Sequence, residues 1–563
     1  MEKETEQMET KSKPPYWLNR LPWLAAVSSG VLLALCFPRF GNETLVWLWA
    51  APLMIALWWT PTEKRLRRGF QLGFVTGATF FAINLSWITH MTLPNSLLPA
   101  IGGWLLLCTY LALFFAVWGM IAATVGQPRD EILAPPPAED GSKSDGLFRT
   151  SIHSLRISLI NASVWVGLEW LRGWLLTGFG WNGLGVALHD NINLIQIADV
   201  VGVTGLSFLP MFVGCVLVIT VRRFQLEIRN QILRPHLDFG LALMMVASVF
   251  LYGLQHTLKP PSEGTDLKVL MVQLAVPQTE KWDPEQALSI IEDYQKYTEV
   301  YISANEPDLV LWPESSLPTP LFEDPANERF LNHILSKGEF ALMLGVTDFD
   351  YAAQEIYNGA ALMRDTYDGP DLEIYHKCHL VPFGEFVPFR KQIPFIGNLL
   401  AGILPGDFNR GTSTVPLAYP GKDLQVIPLV CFEDTVGRLA RKFVRPATQF
   451  IVNMTNDGWF GTSAAAEQHL ANARFRCIEL RRPMARACNT GVTCLIQPSG
   501  RVSAKLEDPE LGVFMQGILA STLHVPSDAP MTLYARYGDW FSALASLLAM
   551  LAIIYHIIHS RQR

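Results

Sequence analysis

The chain has 563 residues, which exceeds one ordinary hydrophobic core and predicts at least two structural units. Half of the residues are hydrophobic and 17% are charged, and the formal net charge of −7 gives no basis for nucleic-acid binding. Eight cysteines without a CxxC pair or a zinc-type Cys/His cluster argue against a disulfide framework and against a structural metal. No cofactor is expected.

The apolar residues are concentrated in the first half of the chain and in its last stretch. The polar residues 1–20 show no cleavable signal pattern and are predicted to form a cytoplasmic tail. Because a helix crosses the bilayer core with about 20 apolar residues, we predict a membrane domain of about seven helices over 21–258 and a C-terminal transmembrane helix over 540–559. The predicted spans are 21–37, 44–60, 69–90, 97–126, 157–177, 201–221, 237–256 and 540–559.

Basic residues mark one side of this membrane domain. They precede the first span, follow the second, fourth and sixth spans and end the chain, whereas the alternate loops are nearly free of Lys and Arg, with Arg39 the exception. Loops rich in Lys and Arg remain in the cytoplasm. The segment between the seventh and eighth spans is therefore predicted to lie on the outer face of the membrane.

The fifth predicted span carries two charges, Glu169 and Arg172, which share one helix face because they are three residues apart. Charges within a membrane are costly and usually paired. One interpretation is a structural ion pair near the outer end of the helix. The other is a contact to a polar lipid headgroup, together with the following loop TGFGWNGLG.

Residues 266–525 alternate short apolar β runs with helical segments. The runs are LKVLMVQLAV, PDLVLWPES, FALMLGVTDFD, YNGAALMR, LEIYHKCHL, LQVIPLVCFED, TQFIVNMTND and GVTCLIQPSG. Helices are predicted at about 282–304, 323–337, 433–445 and 464–482. This alternation predicts an α/β domain with a layered sheet core, although the strand order cannot be read from the pattern.

Three residues of this segment follow apolar strands and carry acyl-transfer chemistry. Glu314 provides a general base, and Lys377 provides a cation for a developing oxyanion. Cys431 provides a thiol at a strand-to-helix junction, where a helix N-terminus is expected to lower its pKa. Each residue alone has an ordinary structural explanation, as a surface carboxylate, a solvated lysine or an inert buried thiol. Their combination favours the catalytic interpretation.

In its flanking motifs this triad resembles the nitrilase, or carbon–nitrogen hydrolase, superfamily. The resemblance implies an α-β-β-α sandwich in which Glu314 is the base, Lys377 the electrostatic catalyst and Cys431 the nucleophile. It also implies that Glu385, in FGEFVP, is an accessory glutamate of the active site. The fold class expected for the whole chain is thus a multi-pass α-helical membrane bundle plus an α/β nitrilase-like sandwich domain.

The membrane half narrows the resemblance. GFQLGFVTGATFFAINLSWI, LEWLRGWLLTGFGWNGLG and ADVVGVTGLSFLP look like the membrane half of the apolipoprotein N-acyltransferase family, and TNDGWFG is similar to that family's loop beside the active site. The chain departs from the family with GFGW in place of GFPW and with an insertion around 127–150. The accessory or substrate-binding residues that we assign beside Glu385 are Trp282, Glu433, Asn456 and Trp459.

The resemblance implies transfer of an acyl chain from a membrane phospholipid to the N-terminal amine of the diacylglyceryl cysteine of a lipoprotein, through a thioester on Cys431. It implies a monomer of the cytoplasmic (inner) membrane with its catalytic domain on the periplasmic side. One alternative is a membrane-bound amidase or nitrilase that hydrolyses a C–N bond. A second alternative is a transporter or scaffold with a decayed enzyme domain, against which the intact triad argues.

Overall fold

The computed structural model describes residues 20–91, 97–133, 145–231, 234–260, 262–281, 283–321, 323–365, 370–388, 390 and 407–560. The predicted tail, apart from Arg20, and the predicted accessory residue Trp282 lie outside these described residues.

Nine α-helices precede the first strand within the described residues, and they form the helical bundle. They are α1 (Leu21–Ala34), α2 (Ala51–Trp59), α3 (Arg65–Asn84), α4 (Leu97–Ala122), α5 (Asp130–Leu133), α6 (Asp145–Arg172), α7 (Ala198–Leu206), α8 (Phe208–Arg229) and α9 (Leu237–Thr257). Their buried faces share one apolar cluster, in which Trp49 and Trp118 are almost completely enclosed.

Four helices among the described residues are long and apolar enough to cross a membrane: Leu98–Ala122, Phe208–Arg229, Leu237–Thr257 and Trp540–Ser560. The first, third and fourth coincide with predicted spans. The second begins at Phe208, later than the predicted span 201–221, because residues 201–206 belong to the separate short helix α7, which is kinked at Gly202 with a φ of 73°. The remaining four predicted spans coincide with helices α1, α2, α3 and α6, of which α1 and α2 have 14 and 9 residues. Their crossing of the membrane stays a prediction.

Helices α3 and α4 pack with their backbones in close approach. A Cβ atom placed on Gly73 would lie 2.3 Å from the carbonyl oxygen of Phe115, and one on Gly69 would lie 2.4 Å from that of Gly119. Small residues allow such approach between helices in a bilayer, where packing rather than water exclusion drives association. The run RRGFQLGFVTGATFF therefore encodes a helix–helix contact as well as a span.

The segment after α9 forms two six-stranded sheets. In chain order the strands are β1 (Gly264–Gln273), β2 (Leu309–Trp312), β3 (Ala341–Asp350), β4 (Glu355–Arg364), β5 (Asp371–His376), β6 (Leu417–Ala418), β7 (Gln425–Val430), β8 (Gln449–Thr455), β9 (Met484–Cys488), β10 (Cys494–Ile496), β11 (Val502–Lys505) and β12 (Gly517–Pro526). The strand orders are β12-β1-β2-β3-β4-β5 and β11-β10-β9-β8-β7-β6. At the centre of each sheet three strands run parallel, β1-β2-β3 and β7-β8-β9.

Helices cover the outer faces of both sheets. They are α10 (Ala287–Asn305), α11 (Pro325–Leu335), α12 (Gly437–Ala440) and α13 (Ala465–Leu480), and α14 (Leu533–Tyr537) and α15 (Trp540–Ser560) then return the chain to the bundle. In β2, Leu309 and Leu311 face the second sheet, whereas Val310 and Trp312 face the cluster under α10 and α11. Side chains alternate along a strand, so this period of two builds the predicted α-β-β-α sandwich, which the structure confirms.

The predicted helix 433–445 is wrong as one element. The structure has a 3₁₀ turn at Cys431–Thr435, the short helix α12 and a second 3₁₀ turn at Arg441–Phe443. The break has a backbone cause, because Val436 leaves the helical region with a ψ of 81°. The nucleophile predicted from sequence therefore begins a tight turn rather than a long helix.

Helix α13 joins the sandwich to the bundle. The amide of its Gln468 makes five hydrogen bonds to three separate segments of the bundle. Its oxygen accepts at 3.0 Å from Trp87 Nε1, Trp181 Nε1 and Asn182 Nδ2, and its nitrogen donates to the carbonyl oxygens of Pro38 and Asn84 at 2.8 and 3.1 Å. A buried amide with its donors and acceptor satisfied fixes orientation as well as contact.

The close packing of α3 and α4 is testable with Gly73→Leu. We expect the side chain to push the helices apart and to lower the free energy of unfolding by about 1–3 kcal/mol, the usual cost of overpacking. Thermal unfolding of the purified protein in detergent measures this loss. Gly102→Leu on α4 is the control, since a Cβ atom there meets no atom within 4 Å. Equal midpoints for the two variants would contradict the packing argument.

Candidate active site

The three residues predicted as a triad lie where strands of the two facing sheets end. Glu314 follows β2, Lys377 follows β5 and Cys431 follows β7. Lys377 Nζ lies 3.5 Å from Glu314 Oε1, and the Cys431 thiol is within electrostatic range of both groups. The sheets therefore bring together residues that are up to 117 positions apart, 431 minus 314, in the chain.

The ammonium group of Lys377 is enclosed between two carboxylates. Besides Glu314, it contacts Glu385 Oε1 at 2.9 Å, and the lysine side chain is 1% exposed. Burial lowers the pKa of Lys377, but the carboxylates of Glu385 and Glu314 outweigh it, so that the net pKa is raised above its usual value. The group therefore carries a permanent positive charge, as stabilisation of an oxyanion requires.

Asn358 is a site residue that sequence reasoning missed. Its Nδ2 donates to Glu314 Oε1 at 2.9 Å and to Glu385 Oε1 at 2.7 Å, which orients both carboxylates. Asn358 lies on β4, and its backbone oxygen accepts from the backbone nitrogen of Lys377 at 2.8 Å. Only the pairing of β4 with β5 places it there, so the run YNGAALMR carries no local signal for this role.

Lys281 is a second buried cation at the site, which sequence reasoning also missed. Its Nζ donates to the backbone oxygen of Glu314 at 2.7 Å. Burial lowers its pKa to about 8, against the attraction of the Glu314 carboxylate. The turn that carries Glu314 includes Ser315 at a φ of 50°, in the left-handed region, so the contact from Lys281 supports a strained backbone.

Cys431 also has left-handed backbone geometry, with a φ of 52°. Burial raises the pKa of its thiol, the Glu314 carboxylate raises it further, and Lys377 opposes both. The expected lowering by a helix N-terminus is therefore wrong, because the following element is one short 3₁₀ turn and burial dominates. A thiol that rests protonated needs a base for attack, and Glu314 is placed to supply it.

Glu433 braces the turn of the nucleophile against the segment after β5. Its side chain is fully buried, and burial raises its pKa to about 7 while Lys377 acts in the opposite direction. Its oxygens accept at 2.7–2.9 Å from the backbone nitrogens of Cys378, His379 and Val430, and at 2.9 Å from the hydroxyl of Tyr375. The carboxylate is thus occupied by protein donors, and its assignment as an accessory or substrate-binding group stays a prediction.

The loop TNDGWFG lies between the two domains. Asn456 is buried there, donates to Gln278 Oε1 at 2.8 Å and accepts from the Gly458 backbone at 3.1 Å. Trp459 is half-buried on the same loop, and the ring of the next residue, Phe460, lies 4.5 Å from that of Trp87 in the bundle. Asn456 thus holds the loop in place, whereas Trp459 keeps an exposed portion beside the site.

A cavity lies between the bundle and the turn of the nucleophile. Phe432, the residue after Cys431, lines it together with His379, Gly178, Gly180 and Glu169. The Phe432 ring stacks on His379 at 5.8 Å and on Trp181 at 6.2 Å. The two domains therefore share the walls of a cavity that includes Phe432, the residue after Cys431.

Glu169 and Arg172 form the expected ion pair, with Nη2 and Oε1 3.8 Å apart. Glu169 also accepts from the Leu184 backbone at 2.7 Å, which ties it to the Gly-rich loop. The structural interpretation of the pair is therefore supported. Its position on the cavity wall leaves the headgroup interpretation in place as a hypothesis.

The charge balance of the site is testable with Asn358→Asp. A third carboxylate beside Glu314 and Glu385 is expected to raise the pKa of the Cys431 thiol by about one unit and to slow its alkylation by iodoacetamide about tenfold at pH 8. Mass spectrometry of the Cys431 peptide measures the rate. Asn305→Asp, a partly exposed position at the end of α10, is the control. An unchanged rate for Asn358→Asp would refute the electrostatic role.

Comparison with known families agrees with both halves of the structure. Residues 29–216 match the family described as Apolipoprotein N-acyltransferase N-terminal domain, and residues 268–523 match the family described as Carbon-nitrogen hydrolase. A carbon-nitrogen hydrolase structure from Helicobacter pylori G27 aligns at 15% identity and a TM-score of 0.34, covering 46% of this chain and 89% of that chain.

Two curated relatives are both named apolipoprotein N-acyltransferase. The apolipoprotein N-acyltransferase of Geobacter metallireducens is 34% identical over 550 residues, which cover 96% of this chain and 97% of that protein. The apolipoprotein N-acyltransferase of Rickettsia prowazekii is 31% identical over 405 residues, covering 70% and 76% of the two chains. With a similarity that runs along nearly its whole length, the chain belongs to the apolipoprotein N-acyltransferase family.

Proposed function

We propose that this protein transfers an acyl chain from a membrane phospholipid to the N-terminal amine of the diacylglyceryl cysteine of a lipoprotein. The observation that carries the proposal is that Glu314 and Lys377 are assembled near Cys431, whose chain neighbour Phe432 lines a cavity together with Glu169 of the helical bundle. A soluble substrate does not require a cavity that is lined in part by the helical bundle. Membership in the family favours this transfer over hydrolysis of a C–N bond.

In the first step Glu314 removes the proton of the Cys431 thiol, and the sulfur attacks the carbonyl carbon of the phospholipid ester. A C–S bond forms, and the negative charge that develops on the carbonyl oxygen is stabilised by the ammonium group of Lys377. The C–O bond to glycerol then breaks. The leaving oxygen takes the proton from Glu314, which releases a lysophospholipid and leaves a thioester on Cys431.

In the second step the α-amine of the lipoprotein attacks the thioester carbon. Glu314 accepts a proton from the amine, Lys377 again stabilises the oxyanion, and the C–S bond breaks as the amide forms. The proton returns from Glu314 to the sulfur. The raised pKa of the Cys431 thiol makes this return favourable and resets the enzyme for another phospholipid.

Asn358 and Glu385 hold the reacting side chains in position. Asn358 holds the carboxylates of Glu314 and Glu385 by one amide, and Glu385 also accepts from the Val381 backbone at 2.7 Å. Glu385 is thus proposed to hold Lys377 in place, while Glu314 carries the proton. Both substrates are anchored in lipid, and the cavity walls of Phe432 and His379 are proposed to receive their polar portions.

We further propose that the protein lies in the cytoplasmic (inner) membrane as a monomer, with the catalytic domain over 266–525 on the periplasmic side. The basic loops support this orientation.

This orientation is testable by introducing one cysteine at a time into a Cys431→Ala background, in which the remaining native cysteines are buried. A membrane-impermeant maleimide is expected to label Asp528→Cys, at the exposed end of the sandwich, in spheroplasts. Glu63→Cys, in the exposed loop between α2 and α3, is expected to react only after permeabilisation. The opposite pattern would reverse the proposed topology.

The reaction itself is testable by intact-mass analysis after incubation with phospholipid. We expect one acyl adduct, which a diacylglyceryl lipopeptide discharges as it becomes acylated. Cys431→Ala is expected to abolish the adduct, whereas Cys36→Ala, which removes a buried thiol of the bundle, keeps it. Turnover of a soluble amide without acylation of the lipopeptide would instead establish the amidase alternative.

A further inference from the structure

Four buried charged side chains form a cluster beneath the turn of the nucleophile. Asp434 belongs to the turn Cys431–Thr435, Asp457 to the loop TNDGWFG, His469 to α13 and Arg486 to β9. Each is at most 3% exposed. The cluster therefore connects four elements around the site, and neither step of the proposed reaction uses it.

The hydrogen bonds of His469 define its protonation. Its Nε2 lies 2.8 Å from Asp434 Oδ1, and its Nδ1 lies 2.8 Å from Asp457 Oδ1. An ionised carboxylate only accepts hydrogen bonds, so both ring nitrogens must donate. A neutral imidazole has one donor, whereas an imidazolium has two. The geometry thus calls for a positively charged ring.

Arg486 completes the charge balance. Its Nη1 lies 3.4 Å from Asp434 Oδ2, and its Nη2 lies 3.3 Å from Asp457 Oδ2. Two positive groups therefore face two negative groups in a ring of alternating charge. Buried charges are tolerated when they are paired and hydrogen-bonded, and removal of one member leaves an uncompensated charge. With a neutral His469 the cluster would carry a net negative charge.

Two connections lead from the cluster to Cys431. Asp434 is part of the same 3₁₀ turn, three residues after the thiol. Arg486 Nη1 also donates to Asn453 Oδ1 at 3.0 Å, and Asn453 Nδ2 donates to the backbone oxygen of Cys431 at 3.2 Å. A non-glycine residue at positive φ persists where its surroundings hold it, and these contacts hold Cys431.

We propose that His469, as an imidazolium, is a positioning residue that keeps the Cys431 turn in the geometry for attack. The inference rests on the proposed role of Cys431 as the nucleophile. His469 acts through Asp434 and the backbone and touches no reacting atom. The ring also lies 5.3 Å from that of Trp181, and its neighbour Gln468 bonds to the same tryptophan, so docking of the bundle supports the same helix.

The pH dependence follows from the groups that face the ring. Burial lowers the pKa of His469, Asp434 raises it, Arg486 opposes, and Asp457 raises it again, with a result of about 9. Further titratable groups contact the cluster: Cys488 Sγ lies 3.6 Å from Asp457 Oδ2, and Arg476 Nη1 donates to the backbone oxygen of Asp434 at 3.4 Å. A pKa raised from about 6.5 gives stability that is complete below pH 6.5 and is lost as the pH rises through 9.

The test is a double-mutant cycle with His469→Gln and Asp434→Asn in the full-length protein. His469→Gln leaves the cluster with one unbalanced negative charge, and we expect kcat for lipopeptide acylation to fall about 100-fold, the effect of a misplacement of about 1 Å, with KM little changed. Adding Asp434→Asn restores neutrality, since Asp457 then balances Arg486. We expect this pair of changes to recover at least about tenfold of the lost kcat.

A second readout separates this inference from the proposed function. Alkylation of Cys431 by iodoacetamide needs no lipid, and it is expected to slow in His469→Gln and to recover in the double variant. If the unaltered protein acylates no lipopeptide, the proposed function fails while alkylation still tests the positioning. The loss of thermal stability above pH 8 is expected to be smaller in His469→Gln than in the unaltered protein, because the titrating ring is gone.

His524→Gln is the matched control, since it alters an exposed His–Asp pair, 2.7 Å from Asp266, on the far strand β12. It is expected to leave kcat and alkylation unchanged. If His469→Gln fails to fold but the double variant folds and is active, the charge-balance argument stands. Additive losses in the cycle, or a double variant that also fails to fold, would overturn it.

Discussion

The enclosure of one ammonium group between two carboxylates is the constraint on which the site depends. Lys377 is almost completely buried, and a buried charge is tolerated only when partners neutralise it and satisfy its hydrogen bonds. Glu314 and Glu385 supply that charge at 3.5 and 2.9 Å, and Asn358 joins them. In the proposed mechanism, the ammonium charge that the two carboxylates neutralise in the resting protein is also the charge that stabilises the oxyanion.

The buried charges beneath the Cys431 turn are also neutralised by partners of opposite charge. His469 and Arg486 face Asp434 and Asp457, and Glu433 takes its hydrogen bonds from backbone groups on both sides of the site. A sheet end alone leaves a turn such as that of Cys431 free to relax out of its left-handed geometry. Buried hydrogen-bonded networks hold the groups that they connect, and here they surround a residue whose backbone requires support.

Helix α13 connects the site in the sandwich domain directly to the helical bundle. Two consecutive residues make these connections: Gln468 bonds to the bundle, and His469 bonds to Asp434 in the Cys431 turn. The Gly-rich loop after α6 adds Trp181, which stacks on Phe432 beside the thiol. The cavity between the domains is thus bounded by groups whose positions depend on the docking of the two halves.

The sequence by itself determined the composition of the molecule and the chemistry of its site. Apolar runs identified the helices and the central strands, because hydrophobicity and its period are local properties. Glu314, Lys377 and Cys431 were identifiable because each follows a strand within a distinctive motif. The same local interpretation joined residues of α7 and α8 in the span 201–221 and merged 433–445 into one helix, since the ends of α7 and the break at Val436 are backbone features that hydropathy does not register.

Only the tertiary structure decided what surrounds those three residues. Asn358, Lys281 and His469 reach the site through strand pairing and helix docking between segments that are distant in the chain. Burial, which depends on the whole fold, raised the pKa of the Cys431 thiol where a local argument predicted the reverse. Long-range packing determines the electric field and the free space at an active site, and a local sequence motif specifies neither of them.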